Sequence, residues 1–144
     1  MAESNYNPTD LTLLGADHIR AYRETDGEVG YIWNGVPTLL LTVTGRRTGR
    51  KLTSALIFGR DGDDYLVVAS YGGAPKHPLW YRNLEANPSA EIQVKGQRLV
   101  VTARTASATE KPRLWQIMVK EWPNYDVYQS RTDRDIPVVV LSPT

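Results

Sequence analysis

The strand-like segments of this chain are separated by connections too short to hold a helix. Branched residues fill residues 39–44, and similar segments follow closely at residues 52–60 and 65–70. Two later segments, at residues 90–95 and 98–105, are joined across a single glycine turn. Parallel strands need a crossover of a dozen or more residues, usually a helix. The spacing therefore predicts an antiparallel sheet and argues against a Rossmann-type fold.

Turn residues and apolar periodicity predict how the other segments surround this sheet. They indicate a helix over residues 9–25, a short helix opened by Pro78, a helix over residues 109–121 and a last strand over residues 137–141. In the first helix, the apolar stripe expected on the buried face consists of Leu11, Leu14, Ile19 and Tyr22. About six strands with a few helices indicate an α+β protein that is mainly β. We expect an antiparallel barrel with helices packed on its outside, because closure removes exposed strand edges.

Length, charge and cysteine content exclude several classes of protein. The 144 residues suit one domain, expected at residues 9–144 behind a flexible N-terminal arm at residues 1–8. The absence of cysteine excludes disulfides, thiolate metal sites and a thiol nucleophile. The net charge of +1 creates no field that attracts nucleic acid, and no apolar run approaches the roughly 18 residues of a membrane span. We therefore expect a cytoplasmic protein.

A basic turn joins the first two predicted strands. Residues 44–51 read Thr-Gly-Arg-Arg-Thr-Gly-Arg-Lys. The glycines can take positive φ and turn backbone amides inward, and the arginines offer forked donors for phosphate or carboxylate. The pattern is compatible with an anion-binding turn and also with a solvated hairpin tip, because charged turns are common.

The segment at residues 70–84 combines paired glycines with the start of a helix. Glycines at a strand end let the backbone approach a flat ligand, and free amides at a helix start favour a negative group. Taken alone, Trp80 is more simply a core residue, and His77 a helix cap or surface residue. The other histidine, His18, lies on a separate helix, so a metal site lacks its ligands.

Three aromatic residues, Trp122, Tyr125 and Tyr128, recur at three-residue intervals and would share one face of a helical turn. They could simply cover the mouth of the barrel. Alternatively, a tyrosine hydroxyl there could donate a hydrogen bond or a proton to a substrate oxygen. Asp133 and Asp135, which flank Arg134, indicate surface ion pairs or capping groups.

Several motifs, in this order, resemble the deazaflavin-dependent nitroreductases, a family also called F420-dependent quinone reductases. They are Thr-Gly-Arg-Arg-Thr-Gly at residues 44–49, Ala-Ser-Tyr-Gly-Gly at 69–73, Pro-Leu-Trp-Tyr-Arg-Asn-Leu at 78–84, Ala-Asn-Pro at 86–88, Tyr-Asp-Val-Tyr-Gln at 125–129, Thr-Asp-Arg at 132–134 and Ile-Pro-Val-Val at 136–139. The likeness runs from about residue 18 to the end of the chain. Such a series is far more specific than any one motif.

The resemblance implies a split β-barrel, related to FMN-binding barrels, that binds coenzyme F420. This cofactor has a flat deazaflavin ring, a phosphate and a tail of glutamates. The basic turn would hold the phosphate and tail, and the strand end and helix start would line the ring. The implied cofactor-binding residues are Arg46, Arg47, Thr48, Gly49, Arg50, Lys51, Ser70, Tyr71, Gly72, Gly73, Lys76, His77, Leu79, Trp80 and Asn83.

The same resemblance implies transfer of a hydride to a quinone, an enone or a nitroaromatic compound. The implied catalytic residues are Tyr125, Ser70 and Tyr128, and the implied substrate-binding residues are Trp122, Tyr125, Tyr128 and Ile57. A hydroxyl of Ser70 or Tyr125 would stabilise negative charge or deliver the proton. The family commonly has arginine at Leu52, proline at Ala55 and lysine at Tyr71. Trp122 and Ile57 stand where a nitroimidazole-reducing member has tyrosine, and these departures concern the substrate more than the cofactor.

Two alternatives remain at this stage. A related barrel could use FMN, although the long basic turn favours a cofactor with an acidic tail. A small barrel could instead bind single-stranded nucleic acid without being an enzyme, although the near-neutral charge disfavours this. We expect a small-molecule electron acceptor, no nucleic acid and no transmembrane segment. The sequence leaves open peripheral membrane contact and a homodimer.

Overall fold

The computed structural model describes residues 13–144, so the predicted arm at residues 1–8 lies outside the described residues. The helices are α1 (Gly15–Thr25), α2 (Leu79–Ala86), α3 (Lys111–Glu121) and α4 (Asn124–Ser130). The strands are β1 (Ile32–Trp33), β2 (Val36–Thr44), β3 (Lys51–Ile57), β4 (Gly59–Asp61), β5 (Asp64–Val68), β6 (Ser89–Val94), β7 (Gln97–Thr105) and β8 (Val138–Pro143).

The sheet is antiparallel in every strand pair of the described chain. Its order is β1-β2-β6-β7-β8-β5-β4, and β3 pairs with β2. The predicted split antiparallel barrel with flanking helices is therefore confirmed. The structure has two short strands beyond the expected six: β1, and β4, which exists because the strand predicted over residues 52–60 is interrupted at Phe58. The Phe58 amide leaves the ladder and donates to the carbonyl of Pro37 at 3.2 Å.

Strands β5 and β8 are buried on both faces. Val67 and Val139 belong to the core cluster inside the curled sheet, whereas Leu66 and Val140 belong to a second cluster. That second cluster also contains Leu114, Met118 and the aromatic residues of the α3–α4 region. Because successive side chains of a strand point to opposite faces, a continuous apolar run serves two cores at once.

Helix α3 lies close against β4 because Gly59 has no side chain. A Cβ atom at Gly59 would lie 2.7 Å from the sulfur of Met118, a distance that real Cβ atoms essentially never show. The start of α3 is fixed by a reciprocal pair: the Ser107 amide donates to the Glu110 carboxylate at 2.8 Å, and the Glu110 amide donates to the Ser107 hydroxyl at 3.2 Å. These contacts set the position of α4, which follows directly.

Helix α1 begins later than predicted. Leu14 is extended and Gly15 has a φ of +61°, so the helix starts at residue 15. Leu14, expected on the buried face, is 53% exposed, and the buried residues are His18 and Tyr22. The Tyr22 hydroxyl donates to the Thr38 carbonyl at 3.0 Å and accepts from the Lys95 amide at 2.8 Å, which fixes α1 to the barrel. The other apolar residue of the predicted stripe near the helix start, at position 11, lies outside the described residues.

Candidate active site

A cleft of about 550 Å³ lies between α1, β3 and α4. Strand β3 contributes residues 53–57, which include the small side chains of Ser54 and Ala55. The turn after β5 contributes Ser70 and Gly72. The aromatic lining residues are His18, Trp33, Trp122, Tyr125 and Tyr128. Small residues together with flat rings make this cleft suitable for a planar ligand.

The three aromatic residues predicted to share a face do meet at this cleft. Trp122 follows the last residue of α3, and Tyr125 and Tyr128 lie on α4. The indole Nε1 of Trp122 donates to the hydroxyl of Tyr128 at 3.3 Å. The rings of Tyr125 and Tyr128 meet edge to face at 6.1 Å, and those of Trp122 and Trp33 are also 6.1 Å apart. Helix α4 thus adds its aromatic residues to one continuous wall of rings.

The Tyr125 hydroxyl faces the cleft. The residue lines the cleft and is 5% exposed, and its hydroxyl makes no hydrogen bond with the residues that the structure describes. Within residues 13–144 no fully buried side-chain oxygen lacks a partner, so this hydroxyl must border the open space of the cleft. Burial, with Tyr128 and Glu121 nearby, raises the pKa of Tyr125. The phenol therefore keeps its proton at neutral pH and can donate it in a hydrogen bond.

Ser70 presents its hydroxyl to the cleft for the same reason. The residue is buried and lines the cleft, and its side chain makes no hydrogen bond with any described residue. Its backbone is held firmly, because the Ser70 carbonyl accepts from Nη2 of Arg134 at 2.6 Å. A hydroxyl donor is thus fixed at the cleft by its main chain.

The turn after Ser70 is left-handed at three successive residues. Tyr71, Gly72 and Gly73 have φ values of +46°, +62° and +83°. Gly73 could not carry a side chain, because a Cβ atom would lie 2.6 Å from the carbonyl oxygen of Tyr128. The paired glycines therefore allow the turn to reverse and to pack against α4, while Gly72 borders the cleft.

Arg134 holds both ends of this left-handed turn. Its Nη1 donates to the Ala69 carbonyl at 3.1 Å, and its Nε donates to the Ala74 carbonyl at 2.8 Å. Nη1 also lies 3.0 Å from Nδ1 of His77. The sequence by itself predicted no separate role for Arg134, whose guanidinium binds backbone carbonyls. The surface ion pair or cap expected of Asp135 is found, because Asp135 pairs with Lys111.

His77 belongs to this framework. Arginine cannot accept a hydrogen bond, so the contact with Arg134 requires an unprotonated Nδ1 on His77. Burial, and then the charges of Arg134 and Arg82, lower the pKa of His77. The ring also packs on Tyr81, with centroids 4.8 Å apart. His77 is thus a neutral residue that braces the turn from the side of α2.

The basic turn at residues 46–51 lies outside the cleft and is exposed. The buried amide of Asn83 anchors its first residue: Asn83 Oδ1 accepts from both the backbone amide and Nη1 of Arg46, each at 3.1 Å. Arg47 and Arg50 make no side-chain hydrogen bond or ion pair with the described residues. Two arginines of this turn therefore have guanidinium groups that no residue in the range 13–144 binds.

A second concavity, of about 700 Å³, runs along α1 beside the start of β3. Its cationic lining residues are Arg20, Arg23 and Lys51. Ala16, Ile19 and Thr53 line both this groove and the cleft. The two concavities are therefore contiguous, and the cationic groove leads from the aromatic cleft toward the basic turn through Lys51.

The structure brings only some of the predicted site residues together at the cleft. Those that line it are Ile57, Ser70, Gly72, Trp122, Tyr125 and Tyr128. Those that do not are Arg46, Arg47, Thr48, Gly49, Arg50, Lys51, Tyr71, Gly73, Lys76, His77, Leu79, Trp80 and Asn83. Trp80 packs against the inner core, and Leu79 and Lys76 are exposed.

Sequence reasoning missed most of the wall that α1 and β1 provide. His18, Ile19 and Trp33 line the cleft, as does Thr53 of β3. The sequence signal was weak, because β1 is only two residues long and α1 was expected to bury Leu14. No group of three or more potential metal ligands lies together within residues 13–144. No helix there is long and apolar enough to span a membrane.

Fold and cleft together define a split-barrel protein with a site suited to a planar ligand. Comparisons with known proteins specify its activity and its cofactor. A family model for F420H(2)-dependent quinone reductase matches residues 16–143. A Mycobacterium tuberculosis protein named F420H(2)-dependent quinone reductase is 48% identical over 129 residues, which cover 87% of each chain.

Two solved structures agree with this match. One, of an F420-H2 dependent reductase, is 39% identical with a TM-score of 0.69 and covers 74% of this chain and 94% of its own. Another, described as a domain-swapped dimer, is 36% identical with a TM-score of 0.72 and covers 88% of this chain and 98% of its own. The chain belongs to the F420H(2)-dependent quinone reductase family. It is an oxidoreductase, and its cofactor is coenzyme F420.

Proposed function

We propose that the cleft holds the flat ring of coenzyme F420 together with the quinone, and that the adjoining groove holds the anionic part of the cofactor. One observation carries this proposal: Thr53 and two residues of α1 line the aromatic cleft and the cationic groove alike. A long molecule with a planar end and an acidic end matches two contiguous concavities of these characters. FMN has a phosphate but no tail of glutamates, so it would fill less of the groove.

The residues present fit this cofactor. Small side chains at Ser54, Ala55 and Gly72 leave the cleft wall flat, and hydroxyls border it at Ser70 and Tyr125. Lys51 and Arg23 of the groove, with the unpartnered arginines of the basic turn, supply positive charge for a phosphate and carboxylates. The aromatic cleft would thus contact the flat ring of the cofactor, and the adjoining cationic groove would contact its phosphate and glutamates.

When bound, the cofactor supplies a hydride, so the quinone is reduced by two electrons. The protein stabilises the oxygen on which negative charge develops. Tyr125 donates a hydrogen bond to this oxygen, because its buried hydroxyl keeps its proton and has no competing partner. Tyr128 accepts from the indole of Trp122, which fixes the direction of its own proton. Ser70 provides a second donor on a restrained main chain.

Ile57 and the aromatic residues around Tyr125 make this part of the cleft apolar. In such a site a fixed hydroxyl stabilises charge better than it would in water, because the surrounding dielectric constant is lower. The reaction needs one proton at the substrate oxygen, and Tyr125 is the donor that the geometry favours.

Four expectations about location and partners stay predictions. They are a cytoplasmic location, peripheral membrane contact, a homodimer and the absence of nucleic-acid binding.

The first test compares complete coenzyme F420 with its ring portion, which lacks the phosphate and the glutamates. Binding of each to the wild type and to Lys51→Ala is measured by calorimetric titration. We expect Lys51→Ala to weaken the complete cofactor about threefold to tenfold and to leave the ring portion unaffected, because only the former carries charge. Lys120→Ala, an exposed lysine of α3 distant in sequence from both concavities, is the matched control.

Equal losses for both ligands would show that Lys51 supports the fold of the cleft instead of binding the tail. Preference of the wild type for FMN over coenzyme F420 would contradict the proposal as a whole.

The second test concerns the proton donor. Tyr125→Phe should lower kcat for a quinone about tenfold to a hundredfold and leave the cofactor dissociation constant within about twofold. A kcat equal to that of the wild type would assign the proton donor elsewhere.

A further inference from the structure

His18 is a buried histidine of the cleft that the proposed chemistry leaves unused. It lies on α1 and is 4% exposed. Its ring stacks on Trp33, with centroids 6.0 Å apart and an interplanar angle of 22°. It lines the same cleft as Tyr125. Each of the two ring nitrogens of His18 can form a hydrogen bond, so each needs a partner.

The first nitrogen is bound to the protein. Nε2 of His18 lies 2.8 Å from the carbonyl oxygen of Gly30. A carbonyl only accepts, so Nε2 carries the proton. Gly30 has a φ of +102°, and a Cβ atom there would lie 2.9 Å from Cδ2 of His18. The glycine thus lets this edge of the imidazole come close, and the contact sets both the orientation and the tautomer of the ring.

The second nitrogen has no partner among the described residues. Nδ1 of His18 makes no hydrogen bond with residues 13–144, and within this range no fully buried side-chain nitrogen is unsatisfied. Nδ1 therefore borders the open space of the cleft. Because the proton is on Nε2, the neutral ring presents a lone pair there.

Neighbouring polar groups are already bound to other atoms. The Thr38 hydroxyl donates to backbone carbonyls, the shorter contact being 2.6 Å to Gly30. The indole of Trp33 donates to the carbonyl of Leu13 at 2.7 Å. Neither can satisfy Nδ1 of His18. A bound ligand is left as the natural source of a hydrogen bond to this nitrogen.

We infer that Nδ1 of His18 accepts a hydrogen bond from a hydroxyl group on a planar aromatic molecule in the cleft. The reduced form of a quinone is such a molecule, because both of its carbonyl oxygens have become hydroxyls. His18 is thus a ligand-binding residue that favours acceptors whose reduced form is a hydroquinone. This inference rests on the proposed function, since it places substrate and product in the same cleft.

The test is a cycle of two ligands and two proteins. The ligands are 2-naphthol, which has a hydroxyl donor, and 2-methoxynaphthalene, which has none. The proteins are the wild type and His18→Gln, whose amide nitrogen can still donate to Gly30 while the ring acceptor is lost. Calorimetric titrations are run with and without saturating oxidised coenzyme F420. We expect His18→Gln to weaken 2-naphthol about threefold to tenfold and to change 2-methoxynaphthalene less than twofold.

A second readout uses the wild type alone and does not depend on how the variant folds. ¹⁵N NMR of histidine-labelled protein should show the Nδ1 signal of His18 moving on addition of 2-naphthol and not on addition of 2-methoxynaphthalene. His77 is the internal reference, because its Nδ1 already accepts from Arg134. Assignment follows from the signal missing in His18→Gln.

Each outcome addresses one proposal. Equal loss of both ligands in His18→Gln, or no shift of Nδ1 with 2-naphthol, would overturn the inference about His18. Failure of the wild type to bind coenzyme F420 would instead count against the proposed function. Tight cofactor binding with the expected discrimination between the two naphthalenes supports both.

Discussion

Two turns of this protein combine glycine with arginine, and they use the arginine in opposite ways. In the basic turn, Arg47 and Arg50 extend from the surface and contact no described residue with their guanidinium groups. At the left-handed turn of residues 71–73, Arg134 comes from another part of the chain and binds the carbonyls on either side. The basic turn exposes its positive charge, whereas the left-handed turn is stabilised by the guanidinium of Arg134.

The difference lies in which hydrogen-bonding groups each turn leaves unsatisfied. The basic turn is a hairpin whose own backbone bonds, between Gly45 and Arg50 and between Gly49 and Gly45, measure 2.8 Å each. Its side chains are therefore free for a ligand. The left-handed turn leaves carbonyls pointing together, and a forked guanidinium satisfies several at once. The same residue type therefore serves binding in one place and structure in the other.

The largest expected effect is the loss of the structural arginine. Arg134→Ala removes the donors of three backbone carbonyls and the partner of His77. We expect the free energy of unfolding to fall by about 2–4 kcal/mol, because partly buried acceptors lose charged donors. Urea unfolding measures this. Arg98→Ala, on an exposed position of β7, is the control and should change stability by less than about 0.5 kcal/mol.

Arg134→Lys sharpens the same comparison. One ammonium group can reach fewer of these carbonyls than a planar fork, so most of the stability should remain lost. If Arg134→Lys were as stable as the wild type, charge alone would explain the role of Arg134, and the two turns would differ less than the geometry indicates.

The next largest effect is on cofactor affinity, and it concerns Arg47 and Arg50, whose guanidinium groups bind no described residue. Replacing both Arg47 and Arg50 by alanine should weaken coenzyme F420 about tenfold and change stability by less than about 0.5 kcal/mol. Because these charges are exposed, the loss should shrink at high salt. Fluorescence titration at two salt concentrations measures it. Unaltered affinity at low salt would identify the basic turn as a solvated hairpin tip.

The smallest effect concerns pH and the cleft. Burial raises the pKa of Tyr125, so above pH 10 the unfolded chain loses this proton while the folded chain keeps it. The contribution is fully present below pH 10, and stability falls above that pH by about 1 kcal/mol per pH unit. Tyr125→Phe should therefore show a shallower decline between pH 10 and 11. Burial also raises the pKa of Tyr22, so part of the decline in stability with pH should remain in the variant. Equal slopes would mean that the Tyr125 hydroxyl ionises freely.

Local sequence was enough to predict the strands and the aromatic wall of α4. Short connections imply antiparallel pairing, and β2, β5, β6, β7 and β8 all lie within a few residues of their predicted ranges. Tyr125 and Tyr128 share a face of α4 because their spacing is helical, whereas Trp122 joins them from the extended junction between α3 and α4. The start of α1 was misjudged because apolar periodicity ignored the backbone at Leu14 and Gly15. Strand β1, too short to leave a pattern, was not predicted.

The sequence by itself determined the barrel, its helices, the positive charge of the basic turn and the family, because these depend on residue types close together in the chain. Only the tertiary structure decided that Arg134 binds the turn after Ser70 and that His18 directs its Nδ1 into the cleft. The physical reason is that a guanidinium or an imidazole acquires its role from the acceptors that folding brings within about 3 Å. Those acceptors, Ala69 and Gly30 among them, lie far from these side chains in the sequence.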